Sequence, residues 1–387
     1  MTPHKRFSYP SRRLGLPALL MCLAVLLSAP AKAIETSAKQ AIMIDAETGT
    51  VILSKNADEP VPPSSMSKMM TVYLVFERLK EGTLSMSDAF LVSRKAWKRG
   101  GSKMFVEVGK MVSVSDLLRG VIVQSGNDAA IVLAEGLAGD EKIFADRLNE
   151  KARELGMTNS TFKNASGWPE DGHAMSVRDI ATLSLKTIQN FPEYYKLYSE
   201  KTFTFSGIRQ GNRNPLLYRN IGADGLKTGH SEAAGFGLAA SAERNGRRLI
   251  LVVNGLPSMR VRATETYRLM SWGFREFRNF SLFSKGDEVA TADVWLGSED
   301  IVPLVIDRDL SVTLPRGARR KATVKITYTG PIPAPIAKGA VVAQLSISAP
   351  DLPAIQVPLK AGKEVARLGF MGRLSAGFSY LLWGNLK

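Results

Sequence analysis

Residues 62–80 read PPSSMSKMMTVYLVFERLK. The two prolines stop any preceding regular structure, and the apolar run from Met66 predicts a buried helix whose first turn carries Ser65. Lys68 follows three residues later, so its amine lies on the same helix face as the Ser65 hydroxyl. A lysine activates a serine only when it is partly neutral, a state that burial or a nearby cation favours. On its own, the pair also fits a helix-capping serine beside a solvated lysine.

Two further motifs can complete such a site. They are Ser125-Gly126-Asn127 and Lys227-Thr228-Gly229, the second followed by His230. A second hydroxyl can relay a proton and an amide can orient a lysine, while a strand start carrying an ammonium group can receive an extended peptide. Taken singly, they fit an interhelical turn and a surface strand end. Only a folded domain can bring such distant motifs together, so the set predicts an activated serine, with Lys227 as the cation that lowers the pKa of Lys68.

The hydrophobic pattern of the first 280 residues predicts an α/β domain. Two alternating stretches within residues 41–53 flank Asp45-Ala46-Glu47-Thr48-Gly49 and indicate a hairpin. Two more strands, 235–243 and 247–254, are joined by Asn245-Gly246, a dipeptide suited to a tight turn. Helical periodicity is predicted between and after them, over residues 66–80, 114–123, 127–138, 142–155, 177–188 and 264–277. Strands from both ends of the domain therefore surround a helical cluster.

The composition changes after about residue 280. Short alternating stretches rich in Val, Ile and Thr are divided by Gly and Pro, as in residues 312–314 and 322–328, and predict a small all-β domain. Residues 365–383 carry one apolar helical stripe with basic residues beside it. That stripe predicts either a helix lying in the plane of a membrane or one packed on its own domain, and three glycines favour the first because they weaken a helix in water.

The amino terminus has the pattern of an export signal. Basic residues precede an apolar run from Leu14 to Leu27, and Ala31-Lys32-Ala33 follows as a small-residue cleavage pattern. A membrane-spanning helix is the alternative, but the run is shorter than the ~20 residues required. The predicted organisation is a signal peptide at 1–33, a catalytic domain at 34–278, a β-rich domain at 279–362 and a membrane-anchor helix at 363–387. Whether the general or the twin-arginine route is used stays open.

Composition excludes several kinds of chemistry. The single cysteine, Cys22, lies within the predicted signal peptide, so the mature chain would have neither a disulfide nor a thiol site. The net charge of +15 is interleaved with Asp and Glu, which favours attraction to anionic lipid or an anionic polymer over nucleic-acid binding. No metal-ligand spacing occurs, so we predict a mechanism without metal or cofactor. Neither His173 nor His230 has a Gly-x-Ser-x-Gly setting for a triad, and His173 is expected to be structural.

Together these residues resemble the penicillin-recognising serine DD-peptidases, specifically the low-molecular-mass penicillin-binding proteins that are D-alanyl-D-alanine carboxypeptidases. The resemblance covers nearly the whole chain and includes the stretches 101–105, 155–173 and 271–274. It implies a transpeptidase/β-lactamase-like domain, with an antiparallel sheet and a helical cluster, followed by a small all-β domain and an amphipathic terminal helix. It also implies peptidoglycan stem peptides as substrates, β-lactam antibiotics as ligands, and attachment to lipid on the periplasmic face of the inner membrane.

The resemblance further implies a role for each motif residue. Ser65 would form the acyl-enzyme, Lys68 would be its base, and Ser125 and Asn127 would assist proton transfer. Lys227, Thr228, Gly229, His230 and Arg262 would bind the substrate, with Lys227, Thr228 and Arg262 on its terminal carboxylate. The backbone N–H groups of Ser65 and His230 would form the oxyanion hole.

Three alternatives differ in function. A β-lactamase of the class A type would need a Glu-x-x-Leu-Asn stretch, which does not occur between Ser125 and Lys227; Glu170 lacks that context. An endopeptidase acting on crosslinked peptides would share every motif, so the sequence does not separate it from a carboxypeptidase. A non-catalytic wall-binding protein would not need the complete set.

Overall fold

The computed structural model describes residues 34–349 and 352–383, which belong to one compact unit. The predicted signal peptide and its cysteine lie outside the described residues. Within the described residues, no helix is both long enough and apolar enough to cross a membrane.

The first two thirds of this unit contain these elements in chain order: β1 Gln40–Asp45, β2 Val51–Lys55, α1 Lys68–Lys80, β3 Ala89–Leu91, α2 Arg94–Lys98, β4 Met111–Ser113, α3 Val114–Ile122, α4 Asn127–Ala138, α5 Glu141–Glu154, α6 Val177–Asn190, α7 Pro192–Tyr195, β5 Thr202–Phe205, β6 Ile208–Gly211, β7 Ala223–Ser231, β8 Gly235–Arg244, β9 Arg247–Leu256 and α8 Met259–Glu276.

A five-stranded antiparallel sheet organises this part, in the order β2-β1-β9-β8-β7. Successive side chains of a strand point to opposite faces. In β9, Ile250 and Val252 accordingly join the core shared with helices α1, α3, α4 and α6, whereas Leu249 and Leu251 join the core beneath α8. The sheet is therefore buried on both faces, and β7 forms an edge that faces the helical cluster.

The structure confirms the predicted α/β class and moves several boundaries. Helix α8 begins at Met259 because the Ser258 hydroxyl accepts a hydrogen bond from the Val261 N–H and caps it there. It ends at Glu276, so Phe277 belongs to the next strand and not to the helix. Two small two-stranded sheets, β3–β4 and β5–β6, were not predicted.

The second part is the expected all-β domain. Its elements are β10 Phe277–Phe283, β11 Glu288–Trp295, β12 Ile301–Val305, β13 Leu310–Pro315, β14 Thr323–Thr327, β15 Ile332–Pro333, β16 Val341–Ala349, β17 Leu352–Ala361 and the terminal helix α9 Phe370–Trp383. The sheets β10-β13 and β14-β16-β17-β12-β11-β15 enclose a core of small aliphatic side chains. The predicted domain boundary between residues 278 and 279 falls inside β10.

The terminal helix is shorter than the sequence pattern predicted. Val365 is fully buried in the β domain and exchanges two backbone hydrogen bonds of 2.9 Å with Ile336, so it cannot belong to a helix. The helix begins only at Phe370. From there Phe370, Met371, Phe378 and Leu381 are all strongly exposed.

Candidate active site

Ser65 lies in a tight 3-10 turn that precedes α1. The turn spans Ser64–Ser67, so the expected first α-helical turn is replaced by a tighter one. Ser64 adopts a left-handed φ of 50° and its hydroxyl donates to the Ser231 hydroxyl at 3.0 Å, at the end of β7. This bond fixes the nucleophile turn against the edge strand.

Lys68 is completely buried beneath Ser65. Its Nζ donates to Ser65 Oγ at 3.0 Å, to Asn127 Oδ1 at 2.7 Å and to the Ser166 carbonyl at 2.5 Å, which uses all three protons of an ammonium group. Burial, with a smaller contribution from the Arg213 cation and against the opposing charge of Asp128, lowers the pKa of Lys68 to about 7. Near neutral pH this amine is therefore shared between its charged and neutral forms, and the neutral form can accept the Ser65 proton.

The second motif lies between α3 and α4, as predicted. Ser125 has a φ of 61°, which turns its hydroxyl into the cleft, and Asn127 is the first residue of α4. The Asn127 amide is fixed at both ends, since its oxygen accepts from Lys68 and its Nδ2 donates to the Gly100 carbonyl at 2.9 Å. The motif thus links Lys68 to the loop that follows α2.

The third motif lies in the middle of β7, and not at a strand start. Lys227 is buried and its Nζ donates to Ser125 Oγ at 2.8 Å, so the second and third motifs are in direct contact. Thr228, the neighbouring residue, is also buried. Because β7 is an edge strand, its outer backbone groups have no partner strand in the sheet and can receive an extended peptide.

Gly229 permits β7 to approach the nucleophile turn. A Cβ atom at this position would lie 2.8 Å from the Pro63 carbonyl oxygen and 3.1 Å from Met66 Cγ. Both distances are shorter than ordinary carbon contacts. A side chain here would therefore push the edge strand away from Ser65.

Buried positive charge surrounds the cleft. Burial lowers the pKa of Lys227 well below its ordinary value, and the charges of Lys68, Arg213 and Arg262 add to this effect. Arg262, on α8, is 5% exposed; burial and Arg213 lower its pKa to about 10, and its Nε has no hydrogen-bond partner within the described residues. A buried guanidinium with a free donor beside other cations is suited to an anionic ligand.

Arg213 was missed in the sequence. Its Nη1 donates to the Ser102 hydroxyl at 2.6 Å, and it is the cation that lowers the pKa of Lys68. The prediction that Lys227 also has this role stays a prediction. The Ser166 carbonyl was also missed, although residue 166 lies within the stretch 155–173 that carried the resemblance.

The two histidines have different environments. His173 is buried, accepts from the Lys163 N–H through Nδ1 at 3.2 Å, and therefore donates through Nε2 to Ser67 Oγ at 2.9 Å. Burial lowers its pKa to about 4. Its hydrogen bond to Ser67 therefore holds the nucleophile turn in place. The ring of His230 is exposed and stacks on Phe236 at 3.9 Å between centroids, so only its backbone is directed along β7.

Within residues 34–349 and 352–383, no three His, Cys, Asp or Glu side chains are grouped so that they could hold a metal ion. The prediction that no metal or cofactor is needed stays a prediction.

The sequence matches two protein-family models and several curated proteins. Residues 27–258 match the family model described as D-alanyl-D-alanine carboxypeptidase, and residues 277–367 match the one described as penicillin-binding protein 5, C-terminal domain. The D-alanyl-D-alanine carboxypeptidase DacC of Escherichia coli (strain K12) is 39% identical over 341 residues, which span 86% of this chain and 85% of that protein. DacA from the same strain is 36% identical over 350 residues, or 88% of this chain and 86% of the relative.

Solved structures agree with these matches. Penicillin binding protein 5 from Haemophilus influenzae has a TM-score of 0.78 and 35% identity, covering 86% of this chain and 99% of its own. Penicillin-binding protein D2 from Listeria monocytogenes, in its ampicillin-bound form, has a TM-score of 0.58 and 33% identity, covering 62% of this chain and 99% of its own. The similarity therefore extends over both described domains.

Proposed function

The chain belongs to the D-alanyl-D-alanine carboxypeptidase family, and from that membership we propose that it removes the terminal D-alanine of peptidoglycan pentapeptide stems through an acyl-enzyme on Ser65. One observation supports the assignment of the nucleophile above all others. Ser65 is in hydrogen-bond contact with a fully buried lysine whose pKa is about 7. A serine with such a partner can lose its proton at neutral pH.

In the acylation step, neutral Lys68 takes the proton of Ser65 while Oγ attacks the carbonyl carbon of the penultimate D-alanine. Backbone N–H groups of Ser65 and His230 would hold the developing oxyanion. When the C–N bond breaks, the proton passes from Lys68 to the leaving amine, with the Ser125 hydroxyl as the relay. D-Alanine leaves and the shortened peptide stays esterified to Ser65.

The terminal carboxylate of the substrate would be recognised by the buried cations. Arg262 has a free Nε donor, and Lys227 and Thr228 lie on the strand along which the peptide would extend. A bound carboxylate favours the charged form of Lys227 and so reverses the fall in its pKa. Substrate binding therefore favours the charged form of the site.

In the second step, water replaces D-alanine and attacks the ester, with Lys68 again as the base. We propose that β-lactam antibiotics acylate Ser65 in the same way and are released slowly. In the region between Ser125 and Lys227 the sequence lacks the glutamate motif that drives water onto the acyl-enzyme in class A β-lactamases.

The test compares Ser65→Ala with Ser199→Ala, whose serine is exposed and belongs to none of the three motifs. D-Alanine release from a pentapeptide should be abolished in the first variant and unchanged in the second. Intact-protein mass spectrometry should show a stable penicilloyl adduct on all forms except Ser65→Ala. Normal release by Ser65→Ala, or rapid turnover of penicillin, would contradict the proposal. The same assay with a crosslinked dimer measures any endopeptidase activity.

We also propose that the chain is exported and lies on the periplasmic face of the inner membrane, held by α9. The predicted signal peptide supports export, and the exposed apolar side chains of α9, together with Arg367 and Arg373, support contact with anionic lipid. Because Val365 belongs to the β domain, the informative truncation ends at Leu368. This truncated protein should stay in the supernatant after centrifugation with anionic vesicles, whereas the full mature chain should sediment. Equal sedimentation would refute the anchor.

A further inference from the structure

A second basic site lies where the catalytic domain meets the β domain, away from the Ser65 cleft. It is a cleft of about 650 Å³ whose charged lining consists of five arginines and one carboxylate, namely Arg244, Arg247, Arg275, Arg278, Arg316 and Glu47. Its lining includes Phe274, over which the Arg244 guanidinium lies at 4.7 Å from the ring centre. We call it the arginine cleft.

Two of these arginines are neutralised by the protein itself. Arg247 forms an ion pair with the buried Asp45 at 2.7 Å, and Arg275 forms one with Glu276 at 2.6 Å. Arg247 still has a buried Nη2 without a partner in the described part of the chain. These two residues contribute little net charge, but Arg247 keeps one free donor.

The other three are not neutralised. Arg244 donates to the Ile221 carbonyl, and no ion pair to Arg244, Arg278 or Arg316 occurs among the residues that the structure describes. Glu47 is the one carboxylate in the lining, and it accepts a hydrogen bond of 2.8 Å from Asn279. The cleft therefore has an excess of about two positive charges over its own carboxylate.

The placement of these residues points to a ligand that contacts both domains. Arg244 is the last residue of β8, whereas Arg278 lies in β10 and Arg316 directly follows β13. In the β10–β13 register Arg278 is opposite Leu314, so Arg316, two residues on, lies on the same face of the pair. Guanidinium groups from two domains thus point towards one space.

We propose that the arginine cleft binds a phosphate monoester carried on a polar group. A phosphate monoester has a charge of about −1.5 to −2 at pH 7. This charge matches the excess positive charge of the arginine cleft better than the charge of a single carboxylate does. Guanidinium groups bind phosphate oxygens through paired hydrogen bonds. The volume of the cleft leaves room for the group that carries the phosphate, either a soluble ester or a lipid headgroup. Occupancy would link the two domains.

The experiment measures binding of glycerol 3-phosphate and inorganic phosphate to the mature chain by isothermal titration calorimetry at 150 mM NaCl. Arg278→Gln/Arg316→Gln should weaken binding at least tenfold without changing D-alanine release. The matched control, Lys325→Gln/Lys338→Gln, removes two exposed charges elsewhere in the β domain and should leave binding unchanged. Vesicles with phosphatidic acid, compared with neutral vesicles, distinguish a lipid source from a soluble one.

A second measurement does not depend on the folding of a variant. In the wild-type chain, glycerol 3-phosphate should protect Arg278 and Arg316 from modification by phenylglyoxal, but not the exposed Arg308. Saturable binding to one site, lost in the arginine variant, with this protection, supports the proposal. It is overturned by absence of saturable binding of both soluble and vesicle phosphate, by equal binding to both double variants, or by equal protection of all three arginines.

Discussion

The buried position of Lys68 determines how D-alanine release should depend on pH. Its pKa is lowered from 10.5 to about 7. A solvated lysine would be neutral in only about 3 molecules in 10,000 at pH 7, whereas Lys68 is neutral in about half. The site therefore gains a roughly thousandfold larger fraction of competent base, equivalent to about 5 kcal/mol of differential interaction between the two protonation states.

We expect kcat/KM for D-alanine release to rise with pH and to level off above a midpoint near 7, because only neutral Lys68 can take the Ser65 proton. Below the midpoint it should fall about tenfold per pH unit. Arg213→Gln removes a cation that lowers the pKa of Lys68, so the midpoint should move to higher pH. Arg209→Gln, an exposed arginine nearby in the chain, should leave it in place.

The measurement is the initial rate of D-alanine release at low substrate concentration between pH 5 and 9. A profile that is flat over this range would show that Lys68 is not the base, and a rate that still rises tenfold per pH unit at pH 9 would show that the pKa of Lys68 is not lowered. A shift of the Arg213→Gln midpoint to lower pH would contradict the electrostatic account even if the wild-type midpoint were near 7.

Three further predictions concern single side chains. Gly229→Ala should lower kcat/KM by about a hundredfold and destabilise the fold by about 1–3 kcal/mol, since the added methyl group meets Pro63 and Met66. Arg262→Gln should raise KM about tenfold or more, with a smaller change in kcat, because it removes a donor to the substrate carboxylate. His173→Gln should flatten the acid dependence of stability. The pKa of His173 is lowered from 6.5 to about 4, so the unfolded chain binds the proton more readily, and about 3 kcal/mol of unfolding free energy is lost as the pH falls across that range.

Each of these three predictions has a control variant or a measurement that could contradict it. Gly369→Ala adds a methyl group where no atom lies within 4 Å and should have no effect on rate or unfolding. Arg260→Gln removes an exposed arginine from the same helix as Arg262, and an equal rise in its KM would argue against carboxylate recognition. Urea unfolding between pH 4 and 7 measures the His173 effect; an unchanged acid dependence in His173→Gln would show that other groups are responsible.

The sequence predicted the parts of this site that depend on residue identity and regular spacing. Ser65 and Lys68 are neighbours on one helical turn, so their contact follows from local geometry. The sheet strands and long helices follow from their apolar periods. The predicted helix at 365–383 was wrong at its first residues. A buried valine is compatible with either a strand or a helix, and only the backbone pairing of Val365 with Ile336 decides between them.

Other parts of the site could not be predicted. Arg213 is a single arginine in an irregular segment, and its electrostatic effect on Lys68 depends on a distance that only the fold sets. The Ser166 contact uses a backbone carbonyl, which every residue type possesses, so the identity of residue 166 gives no signal. The arginine cleft likewise brings together arginines from distant segments of the chain. Along the sequence these arginines are interleaved with Asp and Glu, so they form no recognisable cluster.

The buried cations around Lys227 also affect how the protein tolerates change. Lys68, Lys227 and Arg262 are buried near one another and near Arg213, and the burial that lowers their pKa values also opposes folding. This part of the core is therefore less stable than an apolar core would be, and it is the part that carries the catalytic residues. Neutral replacements at these positions would be found readily in a screen for thermal stability, and such a screen, run without selection for activity, would steadily remove the enzyme's function.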